Sequence, residues 1–443
     1  MKTLNDILVQ ISNIELKQEV NILYYNEVFL WPIIRSFITR SELTNTLGTH
    51  KDNAFVRLWV FILDSFTLFN FYKLFKKNIF LVYGYDPTGK YIIDKKCIHK
   101  QANPIKDYVG KKNFYFLELG IRNYKTPKMD GVVNISLLFI VFKIISYPLF
   151  FFKKTLRKRQ MKNEIDNFIV KNNISHKVWN DIDDFFKKKS FFNILIRLIK
   201  PKQIFLKSFN NTTAFSLIYV ANKNHVSTID YQHGQQGDNS LNYSNWYSIP
   251  NAGYKTLPKY FWLWGSDFEK KFHPWLSKQT YHKTKVVGNL WFNFVEGNKE
   301  LFPPTNLKKD NVINVLVCLQ KTYIPKLIED AIISGNGIKW YFRLHPRELK
   351  NKSKLEELLN KLGVDFNSFD LEIANTSLIE SLLQSVDTVI TEWSTVAYEA
   401  SLFQKKSIVI HENGLKAFSQ LINENKIFYT NETEELLNKI YSN

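Results

Sequence analysis

The sequence predicts an α/β protein of two Rossmann-type domains facing a cleft, with a helical elaboration at the N-terminus. Three observations carry that expectation. From Lys200 onward, short apolar runs alternate with helical stretches, the pattern of a parallel, doubly wound sheet. At 443 residues the chain is longer than one hydrophobic core ordinarily organises. A polar segment with a Pro-Pro pair, Asn298 to Asp310, then separates an N-terminal domain over 1–300 from a C-terminal domain over 311–443.

Taken in order, residues 1–75 read as helical and carry a dense aromatic load around Tyr24, Tyr25, Phe29 and Trp31. Ile79–Tyr83 is the first strand, ending in a turn-rich loop that contains Asp86-Pro87, and Asn113–Leu119 is the second. An apolar run from Val132 to Phe152 follows, then a polar helical stretch over Met161–Lys171. Gln203–Lys207, Val226–Tyr231, Tyr260–Trp264 and Lys285–Val287 are strands, with a helix over Thr213–Asn222. Beyond the linker, Val312–Leu319, Tyr341–Leu344, Val386–Ile390 and Ser407–Ile410 are strands, and Thr395–Phe403 is a helix.

Composition narrows the function classes. Cys97 and Cys318 are far apart and lack metal-ligand spacing, which argues against a disulfide scaffold or a zinc site and fits a reducing compartment. The N-terminal twenty residues alternate helically and lack the apolar core of a signal peptide, so a cytoplasmic location is expected. The net charge of +19 needs a partner. Nucleic acid is not expected, because the lysines are scattered and no nucleic-acid-binding signature appears. An anionic membrane surface fits better. The apolar run is followed at once by Lys153, Lys154, Arg157, Lys158, Arg159 and Lys162, so a membrane-proximal insertion is expected over about 132–162. Lys143 within that run and Pro148 near its end argue against a clean span. The expected location is therefore peripheral, on the inner face of the cytoplasmic membrane.

Two motifs suggest a nucleotide pocket. Thr391-Glu392-Trp393-Ser394-Thr395 lies between a strand and a helix, where a helix start opened by Ser and Thr offers N–H groups to phosphate. Arg343-Leu344-His345-Pro346 places cationic donors at another strand end, with Arg347 just beyond. A third constellation lies in the N-terminal half. Asp230-Tyr231-Gln232-His233-Gly234 ends a strand, with Asp238 nearby, so His233 can be the general base, or either aspartate the base or nucleophile. The aromatic loop from Asn242 to Tyr254, with Trp246 and Tyr254, is a candidate sugar-stacking or covering element, with a purely structural role equally open.

The order of Gln232-His233-Gly234, Leu257-Pro258-Lys259-Tyr260, Trp264-Gly265, Val286-Val287-Gly288-Asn289, Arg343–Pro346 and Ser394-Thr395 with Glu399-Ala400 resembles a known family. It is similar to the two-Rossmann-domain (GT-B) glycosyltransferases of bacterial capsule and lipopolysaccharide synthesis. The His-Pro and Ser-Ser/Thr motifs resemble those of sialyltransferases and Kdo transferases that use CMP-activated sugars. More distantly, the order resembles the CDP-glycerol glycerophosphotransferases. The likeness covers roughly residues 200–410.

That resemblance implies that His345 holds the donor phosphate with Arg343, Pro346 shapes the turn, and Ser394, Thr395 and Gln320 complete the nucleotide side. Glu399 would face the ribose, and His233 would be the base or leaving-group stabiliser. Gln232, Gly234, Trp246 and Tyr254 would line the acceptor side, with Asp86 the nearest N-terminal counterpart of an acidic motif found in sialyltransferases. The expected activity is transfer of a CMP-linked ulosonic acid to a surface polysaccharide or polyprenol-linked glycan. No cofactor is expected, and no metal, since no acidic pair stands where Mg²⁺ would bridge a diphosphate. The alternatives are polyol-phosphate transfer from CDP-glycerol or CDP-ribitol, and a non-catalytic basic protein that binds membrane or RNA.

Overall fold

The computed structural model describes residues 4–17, 19–43, 62, 66–76, 80–83, 90–93, 96–110, 113–119, 131–234, 236, 240–307, 312–363 and 368–442. The chain divides into two compact units, Met1–Leu290 and Trp291–Asn443. The division falls ahead of the polar Asn298–Asp310 segment. Trp291 already belongs to the second unit, where its indole N–H donates to Glu380 Oε1 at 2.7 Å.

The first unit is built on seven strands: β1 Phe80–Tyr83, β2 Phe114–Glu118, β3 Val132–Asn134, β4 Gln203–Leu206, β5 Ser227–Tyr231, β6 Tyr260–Leu263 and β7 Lys283–Val286. All pair in parallel, in the order β7-β6-β5-β4-β1-β2-β3. The second unit holds six parallel strands: β8 Ile313–Leu319, β9 Ile338–Leu344, β10 Phe369–Asp370, β11 Thr388–Thr391, β12 Lys406–Val409 and β13 Phe428–Tyr429. Their order is β10-β9-β8-β11-β12-β13. Side-chain alternation along β8 sends Val315, Val317 and Leu319 into one core and Leu316 and Cys318 into the other. Both faces are covered, which is why these strands read as unbroken apolar runs.

Helices α1 Leu4–Lys17 and α2 Trp31–Leu43 open the chain; α3 Ser136–Lys171, α4 Val178–Ile199 and α5 Thr212–Lys223 follow in the first unit. The apolar run from Val132 to Phe152 is not one element. Val132, Val133, Asn134 and Ile135 are buried, the first three as an edge strand paired to β2, and the helix begins only at Ser136. The Met161–Lys171 stretch is the end of that same 36-residue helix. The eighteen-residue apolar window of α3 is 6% buried, whereas its C-terminal part buries Met161, Ile165, Phe168 and Ile169.

A buried ion pair ties the N-terminal helices to the sheet-bearing part of the unit. Arg35 of α2 meets Glu15 of α1 at 2.5 Å, both side chains fully buried. Glu15 also accepts from Trp31 Nε1 at 2.7 Å and from the Tyr247 N–H at 2.6 Å. The Arg35 Nη2 donates to the carbonyls of Leu241 and Ser244, each at 2.8 Å, and the guanidinium lies 3.9 Å from the centre of the Trp246 ring.

A second buried node is His282, whose Nδ1 lies 2.6 Å from the Pro258 carbonyl while Nε2 accepts the Tyr254 N–H at 3.0 Å. Gly253, at φ +65°, has no room for a Cβ, which would sit 2.7 Å from that Nε2. Glycine is required there for both reasons.

Two stability predictions follow from these nodes. Arg35→Met leaves Glu15 buried without its cation and should cost about 3–5 kcal/mol in urea unfolding, whereas joint replacement of both by apolar residues should cost less. Burial pushes the His282 imidazole down to about 4, with the Pro258 carbonyl opposing. The unfolded chain therefore binds the extra proton first. Stability present above about pH 6.5 should be lost as pH falls toward 4, and His282→Gln should flatten that slope in denaturation curves taken across the range.

Candidate functional site

In the second unit the chain starts at β8, lays β9 and β10 on one side, then crosses to β11, β12 and β13 on the other. That reversal sets the carboxyl ends of β8 and β11 side by side, where open α/β sheets take ligands. Three loops are hydrogen-bonded together at this point. Thr322, after β8, donates to Glu348 Oε2 in the β9 turn at 2.6 Å. Tyr323 donates its hydroxyl to Glu392 Oε1 in the β11 turn. The His345 N–H donates to the Leu319 carbonyl at 3.1 Å.

His345 caps the 3₁₀ turn Pro346–Asn351, its Nδ1 accepting the Arg347 N–H at 3.2 Å. Burial and then the Arg347 charge hold the imidazole below its usual pKa, against the pull of Glu348. The ring is therefore neutral at physiological pH, and with Nδ1 accepting, the proton sits on Nε2. Gln320 is half-buried and makes no side-chain hydrogen bond to a described residue. Ser394 Oγ accepts the Val396 N–H at 3.3 Å at the start of helix α6, Val396–Leu402. The serine thus accepts from the first N–H of this short helix, whose N-cap position is Thr395, and keeps its hydroxyl proton for another acceptor. Thr395, beside it, is half-buried. Glu392 is 4% exposed, and its Oε2 has no hydrogen-bond partner among the described residues.

One expected phosphate donor is committed inside the protein. Arg343 Nη1 donates to the carbonyls of Ala374 at 2.6 Å and Ser377 at 2.9 Å, so it anchors the helix Glu372–Thr376 beside β9. Arg347, exposed in the turn, is the cation left at that strand end. Glu399 is 9% exposed and lies close to the Cys318 thiol. Burial pushes that thiol up to about 12, with Arg343 lowering it and Glu399 raising it.

Sequence reasoning passed over His411. It follows β12 as His345 follows β9, its Nδ1 accepts the Asn413 N–H at 3.0 Å, and its ring packs edge-on to Trp393 at 4.8 Å. The signal was present: an apolar strand ending in histidine, twice in one domain. Gly414 is equally constrained, because a Cβ there would lie 2.2 Å from the Glu392 carbonyl.

The first unit carries the other expected residues. His233 follows β5, half-buried, with Nδ1 unpartnered among the described residues. Burial, and then Lys207 at the end of the neighbouring β4, push the imidazole down to about 4, with the Tyr231 backbone opposing. Lys207 is itself pushed down to about 8 by burial. Asp230 is 1% exposed and hydrogen-bonded to Gln236 Nε2 at 3.3 Å. Burial drives its carboxyl well above the usual range, against hydrogen bonds from Tyr243 and Gln236, and its side chain lies in the core. Asp86 and Asp238 lie outside the described residues.

The expected acceptor-side residues turn out to be supports. Gln232 is fully buried, with Nε2 donating to the Gly234 carbonyl at 3.0 Å and Oε1 accepting the Trp264 N–H at 2.8 Å. Gly234 is half-buried in the turn that carries His233. Trp246 is stacked under Arg35, and the hydroxyl of fully buried Tyr254 donates to the Ser248 carbonyl at 2.7 Å. Neither ring is free to stack on a sugar. Among the described residues, no group of three or more His, Cys, Asp or Glu side chains is placed to hold a metal ion.

No family model and no curated protein matches the chain. Solved structures do. UDP-GlcNAc 2-epimerase from Methanocaldococcus jannaschii is 13% identical, with 82% of this chain and 92% of that chain covered and a TM-score of 0.51. The enzyme of the same name from Neisseria meningitidis, also 13% identical, covers 82% of this chain and 89% of its own at 0.49. The wall teichoic acid polymerase TagF is 10% identical, spanning 98% of this chain and 86% of its own at 0.42. At such identities the likeness concerns fold. The chain has a two-domain, GT-B-like α/β fold.

The neutral state of His345 can be checked directly. Its ring ¹⁵N titration should show a midpoint below 6.5 with the proton on Nε2, and a midpoint above that value would contradict the arrangement.

Proposed function

We propose that the chain is a nucleotide-sugar-dependent glycosyltransferase whose second unit binds the donor nucleotide. The observation that carries this reading is the hydrogen-bonded meeting of the β8, β9 and β11 loops at the switch point of the sheet. That meeting gathers the Nε2–H of His345, the Arg347 guanidinium, the Gln320 amide and the Ser394 and Thr395 hydroxyls along one sheet edge. These donors suit a phosphate, while the Glu348 and Glu392 carboxylates at the same meeting accept from Thr322 and Tyr323. The shared fold is consistent with this, since UDP-GlcNAc 2-epimerase acts on a sugar nucleotide.

In the finer reading, the donor is a CMP-linked ulosonic acid such as Kdo or sialic acid. The acceptor is a cell-surface polysaccharide or a polyprenol-linked glycan, and the protein works as a cytoplasmic enzyme at the inner face of the membrane. The bond from the anomeric carbon to the phosphate oxygen breaks and CMP leaves with the electron pair. Its growing charge is met by His345 and Arg347 without a metal. The acceptor hydroxyl attacks the anomeric carbon, and its proton passes to His233, whose ring is neutral at physiological pH.

Calorimetric titration with CMP, CDP, UDP and GDP tests the donor. CMP should bind most tightly, and His345→Ala should lower turnover by about 10²–10³ with little change in unfolding midpoint. CDP preference would replace the sugar donor by a CDP-polyol. Absence of binding by every nucleotide would remove the enzyme reading.

A further inference from the structure

The apolar half of α3 carries a run of exposed hydrophobic side chains. Ile144, Ile145, Tyr147, Phe151 and Phe152 are each 64–76% exposed, and Ile140, Val141 and Leu149 extend the patch. Opposite them, Phe139 and Phe142 pack on Phe191 of α4, so the helix is held by one stripe and bare over the rest. A monomeric surface rarely leaves such a patch uncovered.

Beside the patch, between α3 and α4, lies a cavity of about 710 Å³. Its walls carry Lys143, Lys153, Lys154 and Arg157 from α3 and Lys187 and Lys189 from α4. Asp183 is the one carboxylate lining it, already shared by Lys154 at 3.0 Å and by Arg157. Lys143, Lys153 and Lys187 have no carboxylate partner among the described residues. Lys189 is pushed down to about 8, first by burial and further by Lys223, Lys153 and Arg157, against the pull of Glu27. Tyr147, Phe151 and Phe186 supply the apolar part of the wall.

We propose that α3 seats the protein on an anionic phospholipid bilayer, with its bare apolar face among the acyl chains and the cationic cavity holding a lipid phosphate headgroup. This deepens the membrane part of the reading above and does not depend on the transfer chemistry. Charge decides the occupant. A second copy of the chain would bring two such cationic cavities together, whereas an anionic lipid supplies both an apolar phase and the missing negative charge. By length and composition Ser136–Lys171 passes as a membrane-crossing helix, so the placement of its charges bears on the orientation. From Leu137 to Phe152 the apolar stretch of helix is about 24 Å long, short of a hydrocarbon core of about 30 Å. With Lys143 inside it and cations at its end, the helix lies in the interface and does not cross it.

Co-sedimentation of the full-length protein with vesicles tests this. Phosphatidylcholine containing phosphatidylglycerol should bind at least about tenfold better than phosphatidylcholine alone. Lys143→Gln, Lys153→Gln and Lys187→Gln together should abolish that preference. Ile144→Ser, Ile145→Ser and Phe151→Ser, all at exposed positions, should lower binding to both vesicle types by about tenfold or more. The matched change of Lys354, Lys361 and Lys416 to Gln, in the other unit, should leave binding unaltered. Equal losses from the two lysine sets would reduce the effect to overall charge and overturn the site. Release by inorganic phosphate, but not by chloride at the same ionic strength, would make the cavity a site for a soluble anion. A dimer stable in gel filtration and broken by the serine substitutions would assign the face to a second copy.

Discussion

Parallel pairing is the constraint on which the rest of this structure depends. Every strand in both main sheets runs the same way as its neighbours, so each sheet has one edge where all strands end and their loops begin. Side chains that follow a strand are thereby collected without any need for nearness in sequence. Thr322, His345, Glu392 and His411 come from four different loops, yet adjacent strands β8, β9, β11 and β12 bring all four to one edge. The same rule sets His233 beside Lys207 in the first unit, at the ends of β5 and β4.

The first unit shows how an elaboration is fastened to such a scaffold. Helices α1 and α2 contribute no strand, and their hold on the loop 241–248 rests on the Glu15–Arg35 pair and the carbonyls around it. A charge taken out of water is tolerated only when its partners are numerous and well placed. Arg35 has Glu15, three carbonyls and the Trp246 face. That requirement makes the aromatic loop rigid core, although its composition alone reads equally well as a sugar-binding surface.

The regular α/β architecture was legible because buried parallel strands must be apolar on both faces. The strand-end positions of His345, Ser394 and His233 were legible because loops follow strands. What could not be read was how each polar side chain spends its hydrogen bonds. Arg343 looks like a phosphate ligand by type and place, yet its position inside β9 points its donors at the carbonyls of Ala374 and Ser377. Asp230 looks like a base, but as the fourth residue of β5 it faces the core. A two-residue difference between β11 and its expected start is a lesser matter: Val386 is buried outside the strand, and apolar character does not distinguish the two. The short edge strand β3 was hidden for the same reason, fused in sequence to the apolar start of α3.

Cys318 is the next-to-last residue of β8, and its buried thiol is held almost wholly protonated. Only a thiolate reacts with alkylating or disulfide reagents, so this sulfur is chemically silent while the sheet is closed. Cys97 belongs to the other unit and is half-exposed. The protein therefore carries a built-in pair of reporters: one sulfur answers reagent from the folded state, and the other answers only during transient openings of the second unit, at a rate that measures how often they occur.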